Sequence, residues 1–254
     1  MLEICSIASG SNGNCYYIGN ETDAIVIDCG IFFRSLETRA GNAGIDIKKI
    51  RAVLISHEHS DHVRGVKTLA GKLNLPVYFT PRTYEKTYKR HKPDYYKALS
   101  LEEPVEIFGF YVHTFKKYHD AISPVSFRVE YQGVNIGVMT DIGVADVTLC
   151  KEFSKCQAAF LESNYDEQML ENGPYPKVLK DRVASNVGHL SNSQAFALVR
   201  DFANENLTHL IFSHVSQENN TPEKVLEKFS PFKDKYSMCV APRFDPSEKM
   251  VILP

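Results

Sequence analysis

Several absences bound what this chain can be. No run of eighteen apolar residues occurs in its 254 positions, so no stretch reads as a transmembrane helix. The opening MLEICSIASGSNGNC has neither a basic n-region nor a long apolar h-region, and the expectation is a soluble, cytoplasmic protein without a secretory leader. Cys5, Cys15, Cys29, Cys150, Cys156 and Cys239 are scattered without CxxC spacing. That pattern reads as buried, reduced thiols rather than a disulfide scaffold or a zinc knuckle. No internal repeat or low-complexity segment is visible. A formal net charge of −2 exerts no global pull on nucleic acid or membrane surfaces.

Local charge is another matter. Residues 82–97, RTYEKTYKRHKPDYYK, carry six Lys/Arg against two acids and interleave Tyr84, Tyr88, Tyr95 and Tyr96. A solvated helix face and a surface that tracks a nucleic-acid strand by charge and stacking both fit this segment.

The composition, 43% hydrophobic and 24% charged, is that of an ordinary globular protein. One domain over residues 1–254 is the expectation. Short β-branched or aromatic runs read as strands at 2–8, 15–18, 24–28, 50–56, 76–80, 105–108, 110–115, 125–131, 134–140, 157–162, 207–213, 236–241 and 250–253. Helical patterns fall near 32–42, 62–73, 82–91, 144–154, 191–205 and 221–229, and residues 166–187 are mixed. Strand meanders and strand–helix alternation together predict an α/β fold of mixed sheets covered by helices. Two such halves make a four-layer αββα sandwich.

Against this background "LISHEHSDHVRG", residues 54–65, stands out. An apolar strand empties into His57, Glu58, His59, Asp61 and His62 before the next helix. Buried ionisable groups are costly unless they share a partner, so the HxHxDH cluster reads as a metal loop rather than a solvated turn. One loop cannot complete a metal site, and further donors are expected at other strand ends. His119 follows strand 110–115, Asp141 ends strand 134–140, and His214 ends strand 207–213. His113 alternates within a strand, His91 lies among lysines and His209 sits inside an apolar strand; packing or solvation accounts for these three.

HxHxDH, a later His, a strand-terminal Asp and a final His, in that order, resemble the metallo-β-lactamase fold superfamily. Within it, "SGSNGNC" (9–15), "HEHSDH" (57–62), "HDA" (119–121), "TDIG" (140–143), "LESNYD" (161–166), "GHLSN" (188–192) and "SHVSQENN" (213–220) resemble the WalJ (YycJ) group of nuclease-like proteins. One departure is Tyr165, where a histidine is the expectation for the group. The chain lacks the cysteine ligand of the antibiotic-hydrolysing enzymes and the glycine- and proline-rich arm of the tRNA 3′-processing enzymes.

The resemblance implies His57, His59 and His119 on one metal, Asp61, His62 and His214 on a second, and Asp141 bridging. It also implies that Asp28, in "IVIDCG", orients the metal loop from behind. The donor set has no thiolate and leaves an open face, which favours catalysis over a structural zinc site. Zn²⁺, Mn²⁺ and Fe²⁺ all suit these ligands. Two divalent ions about 3.5–4 Å apart activate a bridging hydroxide and stabilise an in-line phosphoryl displacement. Asp61 and His189 are the catalytic candidates. His189 resembles the histidine that protonates the leaving oxygen or holds the phosphate in phosphodiesterases of this fold, the alternative being a structural cap. Ser11 and Asn12 of "SGSNGN" are candidate phosphate contacts, as are Arg82, Lys86, Lys89, Arg90 and Lys92.

The resulting expectation is a binuclear phosphodiesterase, in its most specific form a 5′→3′ DNA exonuclease. An RNA-directed nuclease and a small-molecule hydrolase of thioesters, lactones or cyclic phosphodiesters remain as alternatives. A metal-holding regulator without turnover fits the intact ligand set less well.

Overall fold

The computed structural model describes residues 1–253. Two seven-stranded sheets pack face to face. The first contains β1 (Leu2–Ala8), β2 (Cys15–Gly19), β3 (Ala24–Ile27), β4 (Ile50–Leu54), β5 (Val77–Phe79), β6 (Lys97–Ala98) and, from the far end of the chain, β14 (Met250–Ile252). The second contains β7 (Val105–Ile107), β8 (Phe110–Lys116), β9 (Val125–Tyr131), β10 (Val134–Met139), β11 (Ala158–Glu162), β12 (His209–Ser213) and β13 (Ser237–Val240). Their orders are β14-β1-β2-β3-β4-β5-β6 and β13-β12-β11-β10-β9-β8-β7.

Alternation along the strands builds the layers. Tyr16 and Ile18, Ile25 and Ile27, and Ala52 and Leu54 face Phe110, Phe127, Ile136, Val138 and Phe160 in the core between the sheets. Their neighbours Tyr17, Val26 and Val53 point the other way, as a period of two requires. Helices α1 (Phe33–Asn42) and α3 (Val66–Leu73) cover them, through Leu36, Ala40, Val66 and Leu69. Between these two helices lies the short helix α2 (Ser60–Val63).

After α4 (Pro81–Lys86), helices α5 (Val147–Phe153), α6 (Glu167–Asn172), α7 (Lys177–Val183), α8 (Asn192–Phe202) and α9 (Pro222–Lys228) follow in the second half. Of these, α5, α8 and α9 cover the second sheet through Leu149, Phe153, Leu198, Val199 and Val225. Each fully buried aromatic such as Phe127 or Phe160 contributes about 1.5–3 kcal/mol. The result is the four-layer αββα arrangement expected from the alternation of strands and helices. Among the described residues no helix is long and apolar enough to cross a membrane.

Three local readings need correction. The helix expected over 62–73 is two pieces, broken at Gly65, where a Cβ would lie 1.9 Å from the Ile31 carbonyl oxygen; this close approach fits the metal loop against residues 29–31. The helix expected over 82–91 stops at Lys86, and a strand that the sequence did not suggest, β6, follows at Lys97–Ala98. The mixed region 166–187 holds α6 and α7, whose apolar side chains Leu170 and Val183 pack with Tyr165 in a small satellite cluster too short to show a period. Helix α8 is N-capped by Ser191 in a full capping box with Gln194.

Candidate metal centre

Strands β10, β11 and β12 run parallel to one another, as do β3 and β4. Their C-terminal ends carry Asp141, Glu162, His214, Asp28 and the 57–62 loop, and these side chains converge. The backbone is bent to aim three of them: Asp28, Asp141 and His214 adopt left-handed φ values of 60°, 56° and 55°. For non-glycine residues this costs on the order of 1–3 kcal/mol each, a strain that surrounding structure must hold in place. The metal loop also presses on its neighbour, since a Cβ on Gly30 would lie 1.6 Å from the Asp61 carbonyl oxygen.

The donor atoms fall into overlapping groups. His57, His59 and His119 each offer one atom, all within 4.8 Å of one another, and so do Asp61, His62 and His214. Asp141 belongs to a group with His57 and His62 and to another with Glu162, His189 and His214. Its Oδ2 lies 3.3 Å from His62 Nε2 and its Oδ1 3.3 Å from His214 Nε2. The structure therefore brings together all seven residues that the sequence nominates as ligands.

Three of the imidazoles are held from their other side. His62 Nδ1 donates to Asp28 Oδ2 at 2.7 Å, and Asp28 also accepts from the Ser56 backbone N–H (2.8 Å) and hydroxyl (2.7 Å). His119 Nδ1 donates to the Gly188 carbonyl at 3.2 Å. His214 Nδ1 donates to Glu162 Oε1 at 3.0 Å. These bonds fix which nitrogen faces the centre. Two buried atoms facing inward, Asp141 Oδ2 and His214 Nε2, have no hydrogen-bond partner among the described residues. A buried acceptor without a donor is rare in a folded protein. Cations would satisfy both atoms, and the imidazole–carboxylate donor set fits divalent metal ions.

The electrostatics agree. Burial works against charge on His214, but Asp141, Asp61 and Glu162 outweigh it and push the imidazole up to about 10. For Asp141, burial opposes ionisation, and His214 and His62 reverse that to hold the carboxyl well below its usual range. His62 is likewise held above its ordinary value, burial being outweighed by Asp141, Asp28 and Asp61, whereas burial lowers His57 and brings His119 down to about 4.

Glu162, Asn14 and Lys117 escape the sequence reading. Glu162 is fully buried, accepts from His189 Nδ1 (2.8 Å) and His214 Nδ1 with one oxygen, and takes the Ile142 and Leu190 N–H groups with the other. Both of its oxygens are engaged, which makes it an orienting group for two imidazoles. The signal was its place at the end of strand 157–162 in "LESNYD". Asn14 holds the centre from the other sheet, its Nδ2 lying 3.0 Å from His62 Nε2 and its N–H donating to Asp61 O at 2.8 Å. Lys117 is buried and donates to the Thr140 carbonyl at 2.7 Å, just before Asp141. Nothing in its sequence context distinguishes it from a surface lysine.

The remaining nominated residues are more dispersed. His189 sits beside the centre, its ring stacked 5.1 Å from that of His214. Ser11 and Asn12 are exposed. The Asn12 side chain accepts from Arg243 at 2.7 Å, and the Gly13 and Asn14 N–H groups are consumed by Gly10 and Asp61. Lys86 borders a cleft of about 570 Å³ shared with His59 and Asp61. Lys92 is engaged with the Glu85 carbonyl and the Tyr84 ring, and Arg90 with His91. Arg82 and Lys89 are exposed and do not line that cleft. Tyr165 packs with Leu170 and Val183 and is not among the donor groups. His113 and His209 pair with Glu130 and Thr208, respectively, away from the centre.

Comparison with known proteins agrees with this architecture. Residues 23–214 match the β-lactamase superfamily domain. The chain is 29% identical to exodeoxyribonuclease YycJ of Bacillus anthracis over 96% of its own length and 94% of that protein's. It is 28% identical to exodeoxyribonuclease WalJ of Streptococcus pneumoniae over 85% and 82%. The metallo-β-lactamase fold protein YhfI from Bacillus subtilis superposes with a TM-score of 0.71 at 16% identity, covering 98% of this chain and all of that one. A fold, a donor set and a family match that each span most of the chain place this protein in the β-lactamase superfamily, as a metallo-β-lactamase-fold member of the WalJ/YycJ-like group.

Proposed function

We propose that this protein is a binuclear metal-dependent phosphodiesterase, acting as a 5′→3′ exonuclease on DNA, with residues 1–254 working as one domain in the cytoplasm. The observation that carries the reading is the orphaned pair Asp141 Oδ2 and His214 Nε2 at the meeting point of two imidazole-rich donor groups. Full-length likeness to two exodeoxyribonucleases supports DNA as substrate and nuclease as activity. The polarity rests on resemblance to the WalJ/YycJ group. Six free thiols, five of them buried, suit a reducing compartment.

His57, His59 and His119 would hold one ion and Asp61, His62 and His214 the other, with Asp141 between the two groups. Zn²⁺ or Mn²⁺, and equally Fe²⁺, suits these donors. When bound, two such ions supply Lewis acidity and an activated water for in-line attack on phosphorus. Asp28 and Glu162 lock the imidazole orientations. Asp61, part-exposed in the cleft, faces the incoming phosphate. His189 donates its Nδ1 proton to Glu162, so its Nε2 is the atom presented to the leaving oxygen or to a phosphate oxygen.

The test is incubation of metal-loaded protein with end-labelled single- and double-stranded DNA, with RNA, and with a thioester, a lactone and a cyclic phosphodiester, beside a metal-stripped control and elemental analysis. Two metals per chain and stepwise release from the 5′ end of DNA are expected. A stoichiometry near one that persists at saturating Mn²⁺ or Zn²⁺ overturns the binuclear arrangement and the bridging place of Asp141. Turnover of RNA alone, or of the small esters alone, overturns DNA as substrate.

A further inference from the structure

The cleft of about 570 Å³ that opens on His59 and Asp61 is built by both halves of the chain. Lys86 and Tyr88 come from the segment that follows β5 of the first sheet, Asp120 from the loop after β8 of the second, and Arg182 from α7. The four tyrosines of the basic segment play unequal parts. Tyr84 stacks on Tyr96, centroids 4.0 Å apart at 23°, and donates its hydroxyl to the Pro93 carbonyl. That pair packs against the core of the first half. Tyr95 is exposed but does not line the cleft. Tyr88, 67% exposed, does. The Arg90 guanidinium lies over the Tyr88 ring, 5.7 Å from its centroid, and the remainder of the ring is apolar surface held in water beside the centre.

The charges of the cleft are also unequal. Of its carboxylates, Asp61 belongs to the donor set, Glu58 accepts the Ile122 N–H at 2.9 Å, and Asp120 is paired with Arg182 through Nε and Nη2. Arg182 Nη1 has no hydrogen-bond partner among the described residues, and Lys86 forms no ion pair among them. Glu58 Oε2 has no partner among the described residues; Lys86 carries an unpaired charge to meet phosphate, and Arg182, held by Asp120, keeps Nη1 open for a second contact. An exposed aromatic ring lining the same cleft as two such groups matches a polymer of alternating phosphates and bases whose bases are unstacked. Duplex bases have their faces covered by their neighbours, whereas every single-stranded base offers a π-face.

We propose that the cleft is a single-strand channel in which Tyr88 is the platform for one unstacked base and Lys86 and Arg182 contact the flanking phosphates. The inference rests on the nuclease reading and specifies the form of nucleic acid the site accepts. A single-stranded end enters the centre, and a duplex must fray to do so.

The test is binding of fluorescent single-stranded DNA oligonucleotides to the metal-loaded protein, with an abasic residue scanned through the first three positions from each end. Wild type should lose roughly 10-fold in affinity at one scanned position and little at the others, the scale of one base–aromatic stack. Tyr88→Ala should bind intact and abasic strands alike. Tyr88→Phe should restore the discrimination, because the ring and not the hydroxyl stacks. Lys86→Gln should lower the slope of log affinity against log salt by about 0.7, the value for one contact on a single strand. Arg182→Gln should do the same. For each variant, retained metal content and melting temperature certify the fold. If wild type binds and degrades single-stranded DNA yet shows no abasic position effect, or if Tyr88→Ala keeps one, the platform is overturned while the nuclease reading stands. If wild type degrades no nucleic acid at all, the nuclease reading itself falls.

Discussion

The metal centre and the basic segment 82–97 both gather ionisable residues, and the fold treats them in opposite ways. At the centre, His57, His62, Asp28, Asp141, Glu162 and His214 are buried, and nearly every polar atom is tied to a named partner. Among the exceptions are two buried atoms, Asp141 Oδ2 and His214 Nε2, and His214 Nε2 lies 3.3 Å from the other oxygen of Asp141. Along the basic segment most charges are exposed, and those with partners are held by few contacts, Lys92 by a carbonyl and the Tyr84 ring and Arg90 by the His91 imidazole and the Tyr88 ring. Buried groups must be satisfied almost completely, whereas exposed cations can stay free for a partner that comes and goes. Preorganisation therefore belongs to the floor of the site and adaptability to its wall.

That contrast is broken most severely at Asp141. Asp141→Asn removes the charge shared by both donor groups, and turnover should fall by roughly 10³-fold or more with loss of metal measured by elemental analysis. A variant that retains both metal and activity would show that the carboxylate is dispensable, and the floor not preorganised as described.

A smaller and more selective effect separates the orienting network from the ligands. Glu162→Gln should lower metal affinity by roughly 10–100-fold, because an uncharged amide cannot accept on both sides, and either the His189 and His214 rings or the Ile142 and Leu190 N–H groups lose their acceptor. His189→Ala should keep its metal and lose roughly 10²-fold in turnover. Titration with Mn²⁺ beside kinetics on a small synthetic phosphodiester distinguishes the two. Loss of one metal in His189→Ala would make that residue a ligand and displace another histidine from the set.

The smallest effects belong to the wall. Replacing Arg82, Lys86, Lys89, Arg90 and Lys92 together with Gln or Ser should raise the apparent KM for DNA and flatten its salt dependence, with a far smaller change on the small phosphodiester. Lys86→Gln alone should account for the largest share, since Lys86 is the one of the five that lines the cleft beside Asp61. Equal contributions from all five would mean that the strand runs along the whole segment.

How much of this was legible before folding follows from the same contrast. His57, His59, Asp61 and His62 crowd one loop, and their density has no cheap explanation except a shared cation. His119, Asp141 and His214 are isolated in sequence, but each ends an apolar strand, so an αββα arrangement was enough to nominate them. Glu162 also ends a strand, yet a lone glutamate after an apolar run is commonplace, and only its fully buried position between His189 and His214 gives it a role. In the wall, composition pointed to six cations and four tyrosines without ranking them. Stacking of Tyr84 on Tyr96 withdrew two rings, and the early end of α4 left Tyr88 in the segment beyond the helix, beside the cleft.

Strand period, apolar content and turn residues are local properties, and from them the sequence by itself determined the two-sheet sandwich, the order of its elements and the residue types at the strand ends. Tertiary structure alone decided which of those residues meet. Donor groups more than a hundred residues apart come within 4.8 Å because parallel strands end at a common edge and left-handed turns at Asp28, Asp141 and His214 aim the side chains into it. Buried hydrogen bonds at long sequence separation, such as Asn14 to Asp61 and Glu162 to His214, leave no periodic trace in the chain that forms them.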